Sequence, residues 1–226
     1  MKISVIGTGK TGGEVVKLLG SQLLYAFDED RPPVREKLKE SDAVIIFVPG
    51  ESAGEIIDMV LNSGVPAVWG TTGYNWPEDL GERIKVAGTR WILASNFSLG
   101  MSLVRRCLNV IGQGSRVLQD PEFHIHEVHH IHKKDAPSGT AISWKKWLGR
   151  EEAAISSARE GDVKGIHSLH VKTEFESIHL KHEAHERAVF AEGAIWAARY
   201  LQTHQDLMPG LYSFESIVDQ AFQENV

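Results

Sequence analysis

An α/β chain is predicted, with a parallel sheet in its first part and a second, α+β portion whose sheet is mixed and partly open. Three observations predict it. Short apolar runs alternate with helix-period segments as far as residue 97, the pattern of βαβ units. A glycine-rich turn joins the first run to the first helix. Beyond residue 97, strand patterns follow one another with few helices between them, and strands linked that way cannot all be parallel.

Taken in order, Lys2–Ile6 is the first expected strand and Thr11–Leu19 the first helix. Leu23–Phe27 is the second strand, followed by a short helix near Pro33–Lys39. Ala43–Val48 is the third strand. Ser52–Leu61 is helical because Ile56, Ile57, Val60 and Leu61 share one face. Pro66–Trp69 and Arg90–Ala94 are two further strands around a helix at Pro77–Ala87. Ser98–Gly112 reads as a helix joining the two parts. Pro121–His130, Ile166–Thr173 and Glu174–His182 read as strands. Ser138–Leu148, Arg187–Thr203 and Phe214–Phe222 read as helices. The polar stretch Arg150–Gly165 is expected to be a mobile surface loop. The expected division is a first domain of residues 1–97 with 205–226, and a second of 98–204.

The composition narrows the function classes. A chain of 226 residues with 42% hydrophobic content can bury a substantial core. Its longest apolar run, Ala43–Val48, is far too short to span a bilayer, and Met1–Gly7 enters a strand directly without signal-peptide architecture. The single cysteine, Cys107, excludes an intrachain disulfide and suits a reducing cytoplasm. A net charge of −6 argues against non-specific nucleic-acid binding. A cytoplasmic protein acting on a small molecule is expected, with no membrane or nucleic-acid partner.

Gly7-Thr8-Gly9-Lys10-Thr11-Gly12 is G-x-G-x-x-G between a strand and a helix. Gly7 suits the tight turn, Gly9 the approach of a pyrophosphate and Gly12 close helix–strand packing. The helix start adds N–H donors and a positive dipole end. Asp28 ends the second strand about 20 residues later, where a carboxylate can hold a ribose diol. A Rossmann-type dinucleotide domain follows. Asp28 favours NADH, while Arg31 and Lys10 leave NADPH open by offering a counter-charge to its 2′-phosphate. Two more loops follow expected parallel strands, Gly70-Thr71-Thr72-Gly73 and Ala94-Ser95-Asn96-Phe97. Ligands bind at such carboxyl ends.

Glu127-Val-His-His-Ile-His-Lys-Lys-Asp-Ala-Pro-Ser-Gly-Thr140 concentrates imidazoles and ammonium groups ahead of a helix start. Histidines at 124, 126, 129, 130 and 132 invite a metal, but the adjacent lysines repel a dication and no H-E-x-x-H or cysteine pair accompanies them. No metal is expected. An anion site with proton transfer fits better. His130 and one or both lysines would hold carboxylates, the Gly139 and Thr140 N–H groups suit a carboxylate, and His129 and Lys133 would supply acid–base chemistry. Cys107, on the apolar face with Leu103, Val104, Leu108 and Ile111, reads as packing.

Together these motifs resemble the dihydrodipicolinate reductase (4-hydroxy-tetrahydrodipicolinate reductase) family. The resemblance rests on Glu127-Val-His-His…Lys133-x-Asp-Ala-Pro-Ser-Gly-Thr140, Gly70-Thr-Thr-Gly73, Asn96-Phe-Ser-x-Gly100 and Glu183-Ala-His-x-Arg187-x-Val-Phe-Ala-x-Gly-Ala194. It implies hydride transfer from NADH or NADPH to a cyclic dicarboxylate of lysine and diaminopimelate biosynthesis. His129 would be a proton donor or acceptor and Lys133 a second donor, with His130, Gly139 and Thr140 on substrate. Gly7 to Gly12, Asp28, Gly70, Thr71, Thr72, the backbone of Ala94, Ser95, Asn96 and Phe97, and Arg187 would contact cofactor. A homotetramer formed through the second domain's sheet is implied. The chain departs from the family pattern by being short, at Phe47-Val48-Pro49 and at Ser102. The residues alone leave two alternatives: another two-domain dehydrogenase, or a non-catalytic nicotinamide-sensing protein.

Overall fold

The computed structural model describes residues 1–224; Asn225 and Val226, assigned from sequence to the first domain, lie outside the described residues. In chain order the strands are β1 (Ile3–Ile6), β2 (Leu23–Phe27), β3 (Ala43–Ile46), β4 (Ala67–Trp69), β5 (Arg90–Leu93), β6 (Glu122–His129), β7 (Ala154–Arg159), β8 (Ile166–Lys172), β9 (Ser177–Glu183) and β10 (Gly210–Ser213). The α-helices are α1 (Lys10–Leu19), α2 (Arg35–Leu38), α3 (Gly50–Ser63), α4 (Leu80–Val86), α5 (Leu99–Gly114), α6 (Gly139–Leu148), α7 (Ala188–Thr203) and α8 (Phe214–Gln223). The chain forms two compact units, Met1–Ser98 with Arg187–Val226, and Leu99–Glu186. Among the described residues no helix is long and apolar enough to cross a membrane.

The first unit is built on a six-stranded sheet in the order β10-β5-β4-β3-β1-β2, every pair of neighbours parallel. β1, β3 and β4 are buried along their whole length. Strands covered on both faces need continuous apolar runs, which Ile3–Ile6, Ala43–Ile46 and Ala67–Trp69 supply around the lone Ser4. The Ser4 hydroxyl is satisfied by Ser41 at 2.7 Å. Strand order reverses at β1, since β2 lies on one side of it and β3 on the other. That reversal is where open α/β sheets bind ligands.

The helix expected in the second domain, residues 188–203, packs instead in the first, against α1 and β3. Its small residues explain this. Ala191, Gly193, Ala194, Ala197 and Ala198 are buried and let the helix axis approach closely. Gly193 lies so near the backbone that a Cβ there would come 1.7 Å from the Phe97 carbonyl oxygen. Arg199 donates to Gln22 at 2.8 Å, and Gln202 to the Asp42 carbonyl.

The second unit carries the mixed sheet, in the order β7-β6-β8-β9. β6 runs parallel to β7 and antiparallel to β8, and β8 antiparallel to β9. One face carries Phe123, Ile125, Leu169 and Val171 onto α5 and α6 through Leu108, Trp144 and Leu148. The other face bears histidines in cross-strand register: His124 opposes His170, and His170 opposes His179.

Two strands depart from expectation. Residues 154–159, expected within a mobile loop, form β7, whose polar Ala-Ile-Ser-Ser-Ala-Arg sequence is that of an edge strand. β10 was not expected, because Gly-Leu-Tyr-Ser offers no alternation. It owes its place to pairing with β5.

Gly193→Ala should lower the melting temperature, since overpacking costs about 1–3 kcal/mol. Gly81→Ala in α4, where an added Cβ meets nothing within 4 Å, should be neutral or raise it by up to about 1 kcal/mol of helix propensity. Thermal melts with equal effects at the two positions would contradict the close approach at Phe97.

Candidate active site

In the first unit, a cleft of about 840 Å³ opens at the carboxyl ends of β1, β2, β3 and β4. Its lining includes six of the residues singled out from sequence in the glycine turn and the acid beyond it: Gly7, Thr8, Gly9, Lys10, Thr11 and Asp28. It also takes in Gly70 and Thr72. Phe47 fixes this corner. A Cβ on Gly7, which has φ of +88°, would come 2.2 Å from the Phe47 carbonyl oxygen, and one on Gly70 would come 2.0 Å from its ring. Gly9 is open, with nothing within 4 Å of the position a Cβ would take. Gly7 therefore answers to packing and backbone geometry, whereas Gly9 leaves bare backbone facing the cleft.

Asp28 stands at the edge of this cleft. Arg31 donates to it twice, from its backbone N–H at 3.0 Å and from Nη2 at 3.0 Å, and Thr8 Oγ1 donates at 3.2 Å. The Arg31 guanidinium holds the Asp28 carboxyl below the usual carboxylate range, against the upward pull of desolvation. The Arg31 side chain is 70% exposed and can leave this pairing at little cost.

The remaining expected residues of this unit divide. Gly12 lies behind the turn, where a Cβ would come 1.7 Å from the Gly7 carbonyl oxygen. Thr71 is buried with its hydroxyl unpartnered. Ala94 donates its N–H to the Trp69 carbonyl. Phe97 is core, its ring against Phe47 and Phe214. Asn96 caps its own turn by accepting the Ser98 N–H at 2.9 Å. Arg187 precedes α7. Neither the Ala94–Phe97 loop nor Arg187 lines the cleft. Pro33, Phe47, Val48, Pro49, Ser52 and Glu55 do line it and were not chosen from sequence as cofactor residues. Phe47, Val48 and Pro49 stand out in the sequence only as a departure from the family pattern, and the others only by position after β2 and β3.

In the second unit, the inward face of β6 ends in Glu127 and His129, both buried. His129 Nδ1 is hydrogen-bonded to Glu127 Oε2. An ionised carboxylate only accepts, so Nδ1 carries the proton and Nε2 is left as the basic nitrogen. Nε2 points towards Gly165, where a Cβ would come within 3.2 Å of it.

Burial alone would raise the Glu127 carboxyl, but hydrogen bonds from Ser157, Arg159 and His129 outweigh it and hold the group below its ordinary range. Arg159 Nη1 lies 3.0 Å from Glu127 Oε1, and the Ser138 N–H, 3.3 Å away, donates to the same oxygen. Burial pushes His129 down; Glu127 pulls it up, and Lys133 and Arg159 push it down again. His167, behind it, is driven by burial and by His129 down to about 3.

Glu127, His129 and His167 offer ligand atoms within 4.8 Å of one another, in the manner of a two-histidine, one-carboxylate metal set. Arg159 already supplies a positive charge to Glu127, and Lys133 adds a second near His129, so the field opposes a dication. The arrangement suits proton transfer at Nε2.

Around this pair, Lys133 Nζ is 2.8 Å from Asp135 Oδ1. His130 follows the end of β6 with its Nδ1 buried and unpartnered. Ser138 caps α6 by accepting the Ala141 N–H at 3.2 Å. Gly139 and Thr140 thus open the first turn of a properly capped helix, as the sequence led us to expect. Arg159 and Gly165 were missed. Arg159 carries no local signal, because the polar stretch around it has the composition of a loop.

The family model described as the C-terminus of dihydrodipicolinate reductase matches residues 103–218. The 4-hydroxy-tetrahydrodipicolinate reductase of Methanopyrus kandleri is 32% identical over 241 aligned residues, covering 95% of this chain and 80% of the relative. That of Alkaliphilus oremlandii is 33% identical over 201, covering 79% and 80%. Among solved structures, a dipicolinate-bound dihydrodipicolinate reductase from Paenisporosarcina sp. TG-14 superposes with a TM-score of 0.72 at 20% identity, covering 96% of this chain and 99% of that one.

Two predictions test the buried pair. Glu127→Gln removes the anion that raises His129, so the imidazole should titrate at still lower pH by NMR; an unchanged or higher midpoint would sink the assignment. Removing half of the Glu127–Arg159 pair should also cost about 3–5 kcal/mol of stability. Independently, the lowered His167 pKa means that the unfolded ring binds a proton that the folded ring refuses. Stability should therefore fall as pH drops from the ordinary histidine value towards about 3, with His129, His170 and His182 contributing in the same sense. His167→Gln should flatten that decline in pH-dependent unfolding; a decline as steep as before would assign it elsewhere.

Proposed function

The chain belongs to the dihydrodipicolinate reductase family, and from that membership we infer that it catalyses NAD(P)H-dependent reduction of 4-hydroxy-tetrahydrodipicolinate to tetrahydrodipicolinate, in lysine and diaminopimelate biosynthesis. The observation that carries the chemistry is the buried Glu127–His129 pair beside Lys133 and the start of α6.

The residues of the first unit fit a dinucleotide. Gly9 offers open backbone to a pyrophosphate at the start of α1, and Asp28 offers a carboxylate to a ribose. Lys10, Thr11, Gly70 and Thr72 line the same cleft and complete the proposed contacts. When bound, the reduced cofactor supplies the hydride. Arg31 is the proposed contact to a 2′-phosphate, its exposed guanidinium exchanging Asp28 for that group, which would admit NADPH beside NADH.

The substrate is a dianion. Lys133, His130 and the Gly139 and Thr140 N–H groups are proposed to hold its carboxylates, a role supported by the capped amino end of α6. Reduction builds electron density on the substrate. Cationic donors nearby stabilise that charge as it develops, and a proton must then be delivered. Lys133 is the proposed donor. His129, its Nδ1 proton held by Glu127, exchanges protons at Nε2. We place the enzyme in the cytoplasm, in keeping with its single cysteine. A homotetramer through the outer face of the four-stranded sheet belongs to the same proposal, and that open face supports it.

The test is oxidation of NADH or NADPH by the purified protein with substrate generated in place by its synthase. Lys133→Ala should lose about 10²–10⁴-fold in turnover while its cofactor dissociation constant holds; intact turnover, or equal loss of cofactor binding, would overturn the role. Arg31→Ala should lose about tenfold or more in kcat/KM with NADPH, the worth of a charge-assisted hydrogen bond, and little with NADH. Equal losses with both cofactors would remove Arg31 from phosphate recognition.

A further inference from the structure

The carboxylate of Asp135 sits where the proposed substrate contacts converge. Its Oδ1 is 2.8 Å from Lys133 Nζ. Lys133, foremost, and the Gly139 N–H both hold its carboxyl below the ordinary range, against desolvation. These are two of the groups assigned above to a substrate carboxylate. The backbone of the same segment is clamped separately: Arg159 Nε donates to the Lys133 carbonyl at 3.2 Å, and Arg159 Nη2 donates to the Asp135 carbonyl. The segment is thus fixed by its carbonyls, while the Asp135 side chain, 57% exposed, is free to rotate away.

We propose that Asp135 is a resident stand-in for the substrate's carboxylate, competing with it for Lys133. The proposal rests on the reading that Lys133, Gly139 and Thr140 hold substrate. Its chemistry is an exchange of one anion for another. Binding releases Asp135 to solvent and replaces it with a ligand carboxylate, so the ammonium does not lose a counter-charge when a ligand departs. An ion pair this exposed contributes little, so a dianion displaces it readily. An anion bound at one point only, such as acetate, gains little over the resident group. Asp135 thereby raises the threshold for binding and favours ligands with two carboxylates.

The experiment measures dipicolinate binding to the NADH-loaded protein by calorimetry, with KM and kcat for the substrate alongside. Asp135→Asn should bind dipicolinate about two- to fivefold more tightly, the fold-change of a lost exposed pair, and show a lower KM. The gain should shrink as salt rises. Asp162→Asn, which removes the same charge from an exposed pair with Lys164, should give no such gain. An equal gain there would reduce the effect to the general field and overturn the proposal. If Asp135 instead positions Lys133, kcat falls without tighter dipicolinate binding, which overturns it equally. A wild-type protein that neither turns over substrate nor binds dipicolinate would overturn the reductase reading together with the stand-in. Wild-type binding without a gain in Asp135→Asn would overturn the stand-in alone.

Discussion

A carboxylate cannot be taken fully out of water unless cations and donors replace its hydration. Glu127 is fully buried, and the second unit is arranged around that requirement. β7 lies parallel to β6 in a register that sets Ser157 opposite Glu127 and Arg159 opposite His129. The amino end of α6 turns its Ser138 N–H onto the same carboxylate, and His129 takes the other oxygen. One buried charge therefore ties a central strand, an edge strand and a helix start together, and fixes which imidazole nitrogen is basic. Arg159 extends the tie to the Lys133 and Asp135 carbonyls, so the lysine is held on the same framework.

The first unit solves a different problem with apolar means. Phe47 stands at the end of β3, next to the strand at which the order reverses, and both Gly7 and Gly70 are bare because its carbonyl and ring occupy the space a Cβ would need. The resulting cleft is shaped by packing, and its polar specificity comes from a few groups: the open backbone at Gly9, the helix start, and Asp28 with Arg31. A polar residue in place of Phe47 would have given a different cleft from the same glycines.

What was legible in the sequence follows from these two solutions. Local patterns were readable: buried parallel strands are continuous apolar runs, the glycine turn is contiguous, and residues 127–140 carry imidazoles, ammonium groups and a helix cap within one stretch. Strand alternation puts Glu127 and His129 on one face, but nothing local turns that face inward or makes the two a hydrogen-bonded pair. β7 and β10 were hidden because edge strands need no apolar alternation; their pairing with β6 and β5 makes them strands. Arg159 was hidden with β7. The small face of α7 was readable as a packing surface, but nothing local says which sheet it meets. The unit boundary was therefore expected at 204/205, whereas the chain returns to the first unit at Arg187.

That return makes the second unit an insertion within the first, and it orders events during synthesis. As the chain leaves the ribosome, β1 to β5 emerge as a five-stranded sheet whose β5 edge is unpaired and whose α1 and β3 have no α7 to cover them. The whole of residues 99–186 must then be made before α7, β10 and α8 can close the sheet. The nascent first unit therefore carries an open edge and an uncovered apolar face while the second folds, the condition in which partly made α/β chains need protection. Speed of folding in the inserted unit, which is self-contained between its two crossings, sets how long that exposure lasts.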